Sequence, residues 1–510
     1  MNYKIGDISY KNHLGTWRIV GYNVKTPKHG IIEVEFEYSD LLKQKENKKL
    51  VREFYYVTNL DIAAKLEANE KIDLSFSYIK DFNISVIQSH CKKEVSFYSF
   101  KAEYACFDGE TAFDNAKMDD GEISFDYAIF GNGDTSFFNT KFGDSDVSFY
   151  NVDFQRGAVS FAEANFGKGN IDFEYTIFGS GNAAFTLAIF GSGNVSFDGA
   201  IFETGDVLFL DTNFGEGDVS FEYTNFGQGN IIFDRAAFGC GEVLFDHCIF
   251  EKGSVKFLET DFSFSKVIFN KIKFENASLD MTGSIAESVS FQNCNFDNHN
   301  KLNFLYVDSL KVLKCIINKT LKITGAKTLS LKGSINLGSI YCNWEEEKVC
   351  EAIKNNEDEE KDKKHQFLML KLNYHKIGEY LEEDKAFVEY MRCRRKELKS
   401  KWRISLDKLI DIIGVYGTKP GRVAITMLLI WIFFGIVFTV IGNIDGALTQ
   451  GFSDHWINGF YFSAVTFVTI GYGDVVPLLA VAKILAPIEG VMGLFLMSYF
   501  TVAVVRITLR

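Results

Sequence analysis

The chain has 510 residues, too many for one ordinary core, and its composition is far from average: 50 Phe and 42 Gly against 4 Pro. A net charge of −13 excludes a nucleic-acid binder that works by neutralising phosphates. It leaves a membrane protein open, because orientation follows the local Lys and Arg beside each span.

The first thirteen residues contain no apolar h-region, so no signal peptide is expected. Residues 1–112 carry irregular strand-like text such as Gly30-Ile-Ile-Glu-Val-Glu-Phe36, which predicts a β-rich cap and the first coils of a β-solenoid. From Phe113 to Phe274 a 12-residue period runs unbroken for 14 units. The first Phe of each unit (Phe113, Phe125, Phe137 and onward to Phe269) is followed five residues later by a second (Phe130, Phe142, Phe154 and onward to Phe274), with Met118 substituting once. Two residues before the first Phe stands a β-branched residue or Ala, as at Val147, Val159 and Ile171. Two before the second stands a small one, as at Ala128, Thr140 and Thr176. Inward positions at i−2 and i, recurring after five, describe short strands and corners wound into a solenoid. Segments such as Gly179-Ser-Gly-Asn182 supply the turns.

This segment resembles the pentapeptide-repeat family, with every second unit stretched from five residues to seven. The expected coil is about 24 residues, with a 12-residue coil as the alternative. After Phe274 the phase slips and Leu, Ile and Val replace Phe, which predicts a tapering continuation, so that the solenoid occupies 113–341. The nine cysteines include no CxxC pair and read as reduced thiols in small core positions. The eight His form no ligand-spaced cluster, and no cofactor is expected. Calcium on the Gly-x-Gly-Asp/Asn turns is not expected either, because calcium-binding β-rolls repeat every nine residues.

Residues 342–401 read as a charged linker (345–365) followed by a helical hairpin broken near Gly378. Residues 402–420 form an amphipathic helix and turn, with Trp402, Leu406, Leu409, Ile410 and Ile413 at helical spacing, suited to the inner membrane surface. Within 421–510 two apolar stretches are long enough to span: an outer helix over 422–442 and an inner helix over 478–507. Lys419 and Arg422 precede the first, while Arg506 and Arg510 follow the second. The segment between carries Asp445, Asp454 and Asp474 and no cation before Lys483, which predicts a multi-pass cell-membrane protein with both termini cytoplasmic.

Between the spans, a helix-length segment over 455–468 leads into Thr469-Ile-Gly-Tyr-Gly-Asp474. This resembles the potassium-channel signature, with Ile470 where Val is commonest. An ion must exchange its hydration shell for rings of oxygens, and glycines let successive carbonyls face one axis. The resemblance implies a selectivity filter over 469–474, with K⁺ held by the carbonyls of Thr469, Ile470, Gly471 and Tyr472, and with Asp474 and Tyr472 bracing it from behind. It also implies four copies around the axis, hence a homotetramer in a lipid bilayer with K⁺ as the permeant ion. Gly493 falls where two-span channels carry a hinge glycine, although close helix packing accounts for it as well. Glu489 is expected to face the pore helix or to pair with Lys483. Val465 stands where some members carry a pore-helix Glu.

The fold class expected is therefore multidomain: an N-terminal β-solenoid, a helical linker and a C-terminal two-span α-helical pore. The whole resembles pentapeptide-repeat ion channels. The function expected is a potassium-selective channel whose solenoid assembles or regulates the pore through an unidentified ligand or protein. Two alternatives stand beside it. One is a non-selective cation channel. In the other the solenoid is mainly a protein-binding or DNA-mimic scaffold, since residues 113–274 hold 25 Asp/Glu against 10 Lys/Arg. No nucleic-acid partner is expected for the chain as a whole, and no phosphate loop or nucleophile elbow points to an enzyme.

Overall fold

The computed structural model describes residues 17–26, 30–40, 48–274, 276–441, 444–446 and 452–509. Residues 1–13, Gly442 and Arg510, which bear on the leader, the outer helix and the charge bias, lie outside them. The chain divides into two compact units, Met1–Asp358 and Glu359–Arg510.

The first unit is built from a single residue pattern. Val147 pairs in parallel with Ile123 and with Ile171, and Val195 pairs with Val219, so each coil holds 24 residues. The 12-residue alternative is thereby excluded. About 11 turns result. The first-Phe side chains stack face to face from coil to coil, as Phe125 on Phe149 at 4.8 Å and 2°. Successive first-Phe rings meet edge to face, as Phe137 on Phe149 at 5.4 Å and 84°. The second-Phe column stacks likewise, with Phe142 on Phe166 at 4.7 Å and 1°. These are the preferred aromatic geometries, repeated with little variation.

The small column between them solves a hydrogen-bond problem. Buried Thr140, Thr176 and Thr212 donate Oγ1 to the carbonyls of Phe113, Phe149 and Phe185 at 2.6–2.8 Å. Cys248, Cys294 and Cys315 fill the same column, and all nine cysteines are free thiols.

The corners use backbone that glycine usually supplies. Tyr127, Asn151, Glu163, Tyr175 and Tyr223 all have φ between 56° and 60°. Left-handed conformation costs an L-residue about 1–2 kcal/mol. Each corner N–H recovers part of this by bonding the next coil, as Tyr127 N to the Tyr150 carbonyl at 2.9 Å. At the second glycine of Gly-x-Gly turns the requirement is close approach instead. A methyl on Gly193, in Gly191-Ser-Gly193, would lie 2.0 Å from the Gly169 carbonyl oxygen. The Asp and Asn that follow run a ladder along the turns: Asn170 N–H bonds Asp146 Oδ1 (2.7 Å), and Asn194 N–H bonds Asn170 Oδ1 (2.9 Å). Asp134, Asn182 and Asp218 do the same, each Oδ1 accepting the backbone N–H of Ala158, Asp206 and Glu242 in turn.

Where Phe gives way to aliphatic residues the coils shorten. The register pairs Val267 with Val289, Val289 with Leu310 and Leu310 with Leu329, coils of 22, 21 and 19 residues. Smaller side chains fill a narrower tube.

Both ends are closed. At the start an antiparallel meander, β1 (Trp17–Val24), β2 (Ile31–Asp40) and β3 (Lys48–Val57), joins the first coil in parallel through Tyr55 and Ser77. Helices α1 (Asn59–Glu67) and α2 (Ile84–His90) accompany it. At the far end the expected charged linker is partly helix. Helix α3 (Val349–Lys354) buries Val349, Ala352 and Ile353, spaced for one helical face, and Asn356 Nδ2 donates to the Leu329 carbonyl at 2.6 Å. The apolar triplet explains the departure, since burial of its face outweighs the charged residues around it.

One face carries acidic side chains in register. Burial, with Glu174, Asp126 and Asp198 adding repulsion, pushes the Asp172 carboxyl up to about 6 from its ordinary value near 3.8. A carboxyl raised in the folded state contributes most stability when protonated, and that contribution is lost as pH rises through 6. Asp172→Asn should therefore raise the melting midpoint of the β signal at pH 7 by roughly 2–4 °C after allowance for solvent screening. The gain should vanish below about pH 4.

Candidate functional site

The second unit begins with a helical hairpin, α4 (Glu360–Ile377) and α5 (Tyr380–Lys396), turned at Gly378 with φ 82°. Helix α6 (Lys401–Gly414) follows, then α7 (Pro420–Ile441), α8 (Phe452–Phe467) and α9 (Ala480–Thr508). Helices α7 and α9 are long and apolar enough to cross a membrane. Their outward side chains, including Leu429, Phe433, Ile484 and Val491, are exposed in the single chain.

The segment between α8 and α9 holds the sequence-predicted site. Thr469, Gly471 and Gly473 have φ of 58°, 58° and 76°, so left-handed residues alternate along Thr469–Gly473. The sequence reading assigned that freedom to the two glycines; Thr469 adopts it as well. The entry is anchored on α8, where Thr469 N–H and Ile470 N–H bond the Thr466 and Val465 carbonyls, each at 3.0 Å. The exit is anchored by Val475–Pro477, which pairs antiparallel with Ile444–Gly446.

Asp474 is held from α8. Tyr461 Oη donates to Asp474 Oδ2 at 2.7 Å, while Asp474 Oδ1 accepts Val475 N–H at 3.1 Å. Tyr472, expected to brace the segment beside Asp474, is 67% exposed, and its hydroxyl makes no hydrogen bond among the described residues of one chain. Ile470 is also half exposed. Tyr461 was missed in the sequence; its only signal is an aromatic hydroxyl on the helix that feeds the segment.

Helix α9 packs behind α8 through apolar clusters around Phe462 and Phe467 and through two close contacts. Fully buried Glu489 accepts a hydrogen bond from Ser463 Oγ, so it faces α8, the helix expected to be the pore helix, and it forms no ion pair with Lys483 among the described residues. A methyl on Gly493 would lie 2.0 Å from the Phe467 carbonyl oxygen. Close packing thus demands glycine there in this conformation. Pro487 sits inside α9 near its start.

Residues 426–510 match the model of a family described as "Ion channel". No curated protein and no solved structure matches the chain. The match, with the two apolar helices, supports an ion-conducting membrane protein whose channel segment carries the Thr469–Asp474 strip. Among the described residues no three His, Cys, Asp or Glu side chains are grouped as a metal centre would require.

The channel segment is tied to the helices before it. Arg506 Nη2, at the end of α9, donates to Asp384 on α5 at 2.7 Å, and its guanidinium lies 4.4 Å from the Phe387 ring centroid. Arg392 and Arg395 of α5 reach Asp411 on α6 at 3.2 and 3.0 Å, and Arg394 reaches Asp407 at 3.3 Å. Tyr416 Oη donates to Asp407 at 2.5 Å. Burial pushes the Asp411 carboxyl up, but the hydrogen bonds from Arg392 and Arg395 outweigh it and hold the group below its usual value. These acidic residues occupy one side of α6. The other side leaves Trp402, Leu406 and Leu409 exposed. Ile413 packs instead with Val423, Leu496 and Phe467, the last residue of α8.

Sequence reading took Arg506 only as a flank that fixes orientation. Removing its partner strands a half-buried cation. Asp384→Asn should therefore lower protease resistance where α5 meets the end of α9 by about 1–3 kcal/mol in local opening free energy. The exchange Asp384→Arg with Arg506→Asp should recover most of that loss.

Proposed function

We propose that this chain is one subunit of a tetrameric, potassium-selective channel of the cell membrane. The single observation that carries the reading is the left-handed alternation at Thr469, Gly471 and Gly473, set between two apolar helices on the end of α8. Alternating handedness turns successive carbonyls toward one side, the arrangement that replaces an ion's hydration shell. Thr469, Ile470, Gly471 and Tyr472 supply the oxygens that hold K⁺. One strip cannot surround an ion, and the exposed Ile470 and Tyr472 side chains suit an element completed by other copies. Four copies close the axis.

Cation placement supports cytoplasmic termini, with α6 lying on the inner surface through Trp402, Leu406 and Leu409. The solenoid then assembles or regulates the pore, and α5–α6 form the route by which regulation reaches α9 through Arg506. Gly493, proposed from its position as a gating hinge, also serves as the packing point of α9 on α8.

Reversal potentials of the purified protein in planar bilayers, with KCl on one side and NaCl on the other, test the reading. The potential should follow the potassium gradient. A potential near zero identifies a non-selective cation channel, and an absence of current removes the channel reading. Gly471→Ala should abolish potassium current while leaving assembly intact, because a side chain at φ 58° costs about 1–2 kcal/mol in each subunit of a ring that has no slack.

A further inference from the structure

Beside the apolar clusters that Phe462 and Phe467 of α8 share with Ala482 and Leu496 of α9, the two helices make two close contacts a helical turn apart: Ser463 with Glu489, and Phe467 with Gly493. The second is a backbone contact that fixes how closely the helices approach. The first is polar and sits where a polar group is expensive. Glu489 and Ser463 are both fully buried. One carboxyl oxygen, Oε1, accepts from Ser463, while Oε2 has no hydrogen-bond partner among the described residues. The Ser463 hydroxyl also lies 3.2 Å from the Trp431 carbonyl oxygen on α7, a second and longer acceptor for the same proton.

A carboxyl with an unpaired buried oxygen destabilises the fold by comparison with Leu. Such local cost is characteristic of functional positions. What the carboxyl adds is direction. The apolar clusters and the Phe467–Gly493 approach set how closely α8 packs, and the Ser463–Glu489 bond adds the one directional polar contact between α8 and α9 among the described residues, which biases its azimuth. Thr469 begins two residues after Phe467, and its N–H is bonded to Thr466 on the same turn. A rotation of α8 is therefore passed directly to the oxygens of Thr469 and Ile470.

We propose that Glu489 is a positioning residue for ion discrimination: through Ser463 its carboxyl sets the rotation of the pore helix and hence the aim of the Thr469–Tyr472 carbonyls. The proposal rests on the channel reading above, and the test separates the two. Wild-type protein is measured first in bilayers under mixed K⁺/Na⁺ conditions; a wild type that conducts without preferring potassium removes the potassium-selective reading, and the proposal with it.

Given a selective wild type, Glu489→Leu fills the volume without an acceptor, and Ser463→Ala removes the donor with a smaller change. Each should raise the sodium-to-potassium permeability ratio by roughly three- to tenfold, the scale of one buried hydrogen bond. The double variant should be no worse than either single one. Glu489→Gln retains a carbonyl acceptor for Ser463 and should keep the wild-type ratio. Unaltered discrimination in Ser463→Ala, or a Gln variant as leaky as the Leu variant, would overturn the assignment. If Glu489→Leu fails to assemble, Ser463→Ala and Glu489→Gln still decide the matter.

Discussion

Five consecutive residues with left-handed backbone at the first, third and fifth cannot hold that shape alone. Everything around Thr469–Gly473 serves to impose it. Helix α8 fixes the entry through the carbonyls of Val465 and Thr466, and the Tyr461–Asp474 hydrogen bond ties the exit back to the same helix. The short strand after Asp474 prevents the exit from unwinding. The strip is thus clamped at both ends to α8. Helix α8 in turn packs against α9, at Glu489 and Gly493 among other residues, and against α7.

The solenoid meets a related demand by repetition. Its corners are also left-handed at non-glycine residues, and each is supported by the coil beside it rather than by a dedicated brace. Phe columns fix the spacing, Thr hydroxyls satisfy carbonyls at the corners, and Asx side chains stitch the turns. Stability of this kind is nearly one-dimensional, each coil resting on its neighbours. Closed ends are then essential, and the meander at the start and α3 at the finish provide them. In the second unit, the ion pairs from α5 to α6 and from α5 to Arg506 make one connected network around the base of α9.

Much of this was legible in the sequence because it depends on periodic or single-residue chemistry. The Phe spacing reveals the coil since every unit uses the same ring, and the spans and the Gly-Tyr-Gly strip announce themselves by apolarity and glycine. Other features left no such mark. Tyr127, Asn151 and Glu163 occupy left-handed corners without a glycine to signal them. Charged neighbours hide the apolar face of α3. The Arg506–Asp384 pair joins residues 122 apart, and Ser463–Glu489 joins two ordinary-looking positions on different helices. Long-range polar pairs have no local pattern, so they become visible only once the helices are packed.

The most direct measurement of the central claim is anomalous scattering from crystals of the membrane protein grown in thallium, a heavy mimic of potassium. The account predicts ions in single file on a four-fold axis, level with the carbonyls of Thr469, Ile470, Gly471 and Tyr472. An assembly without four-fold symmetry, or an ordered strip with no ion beside those oxygens, would contradict it.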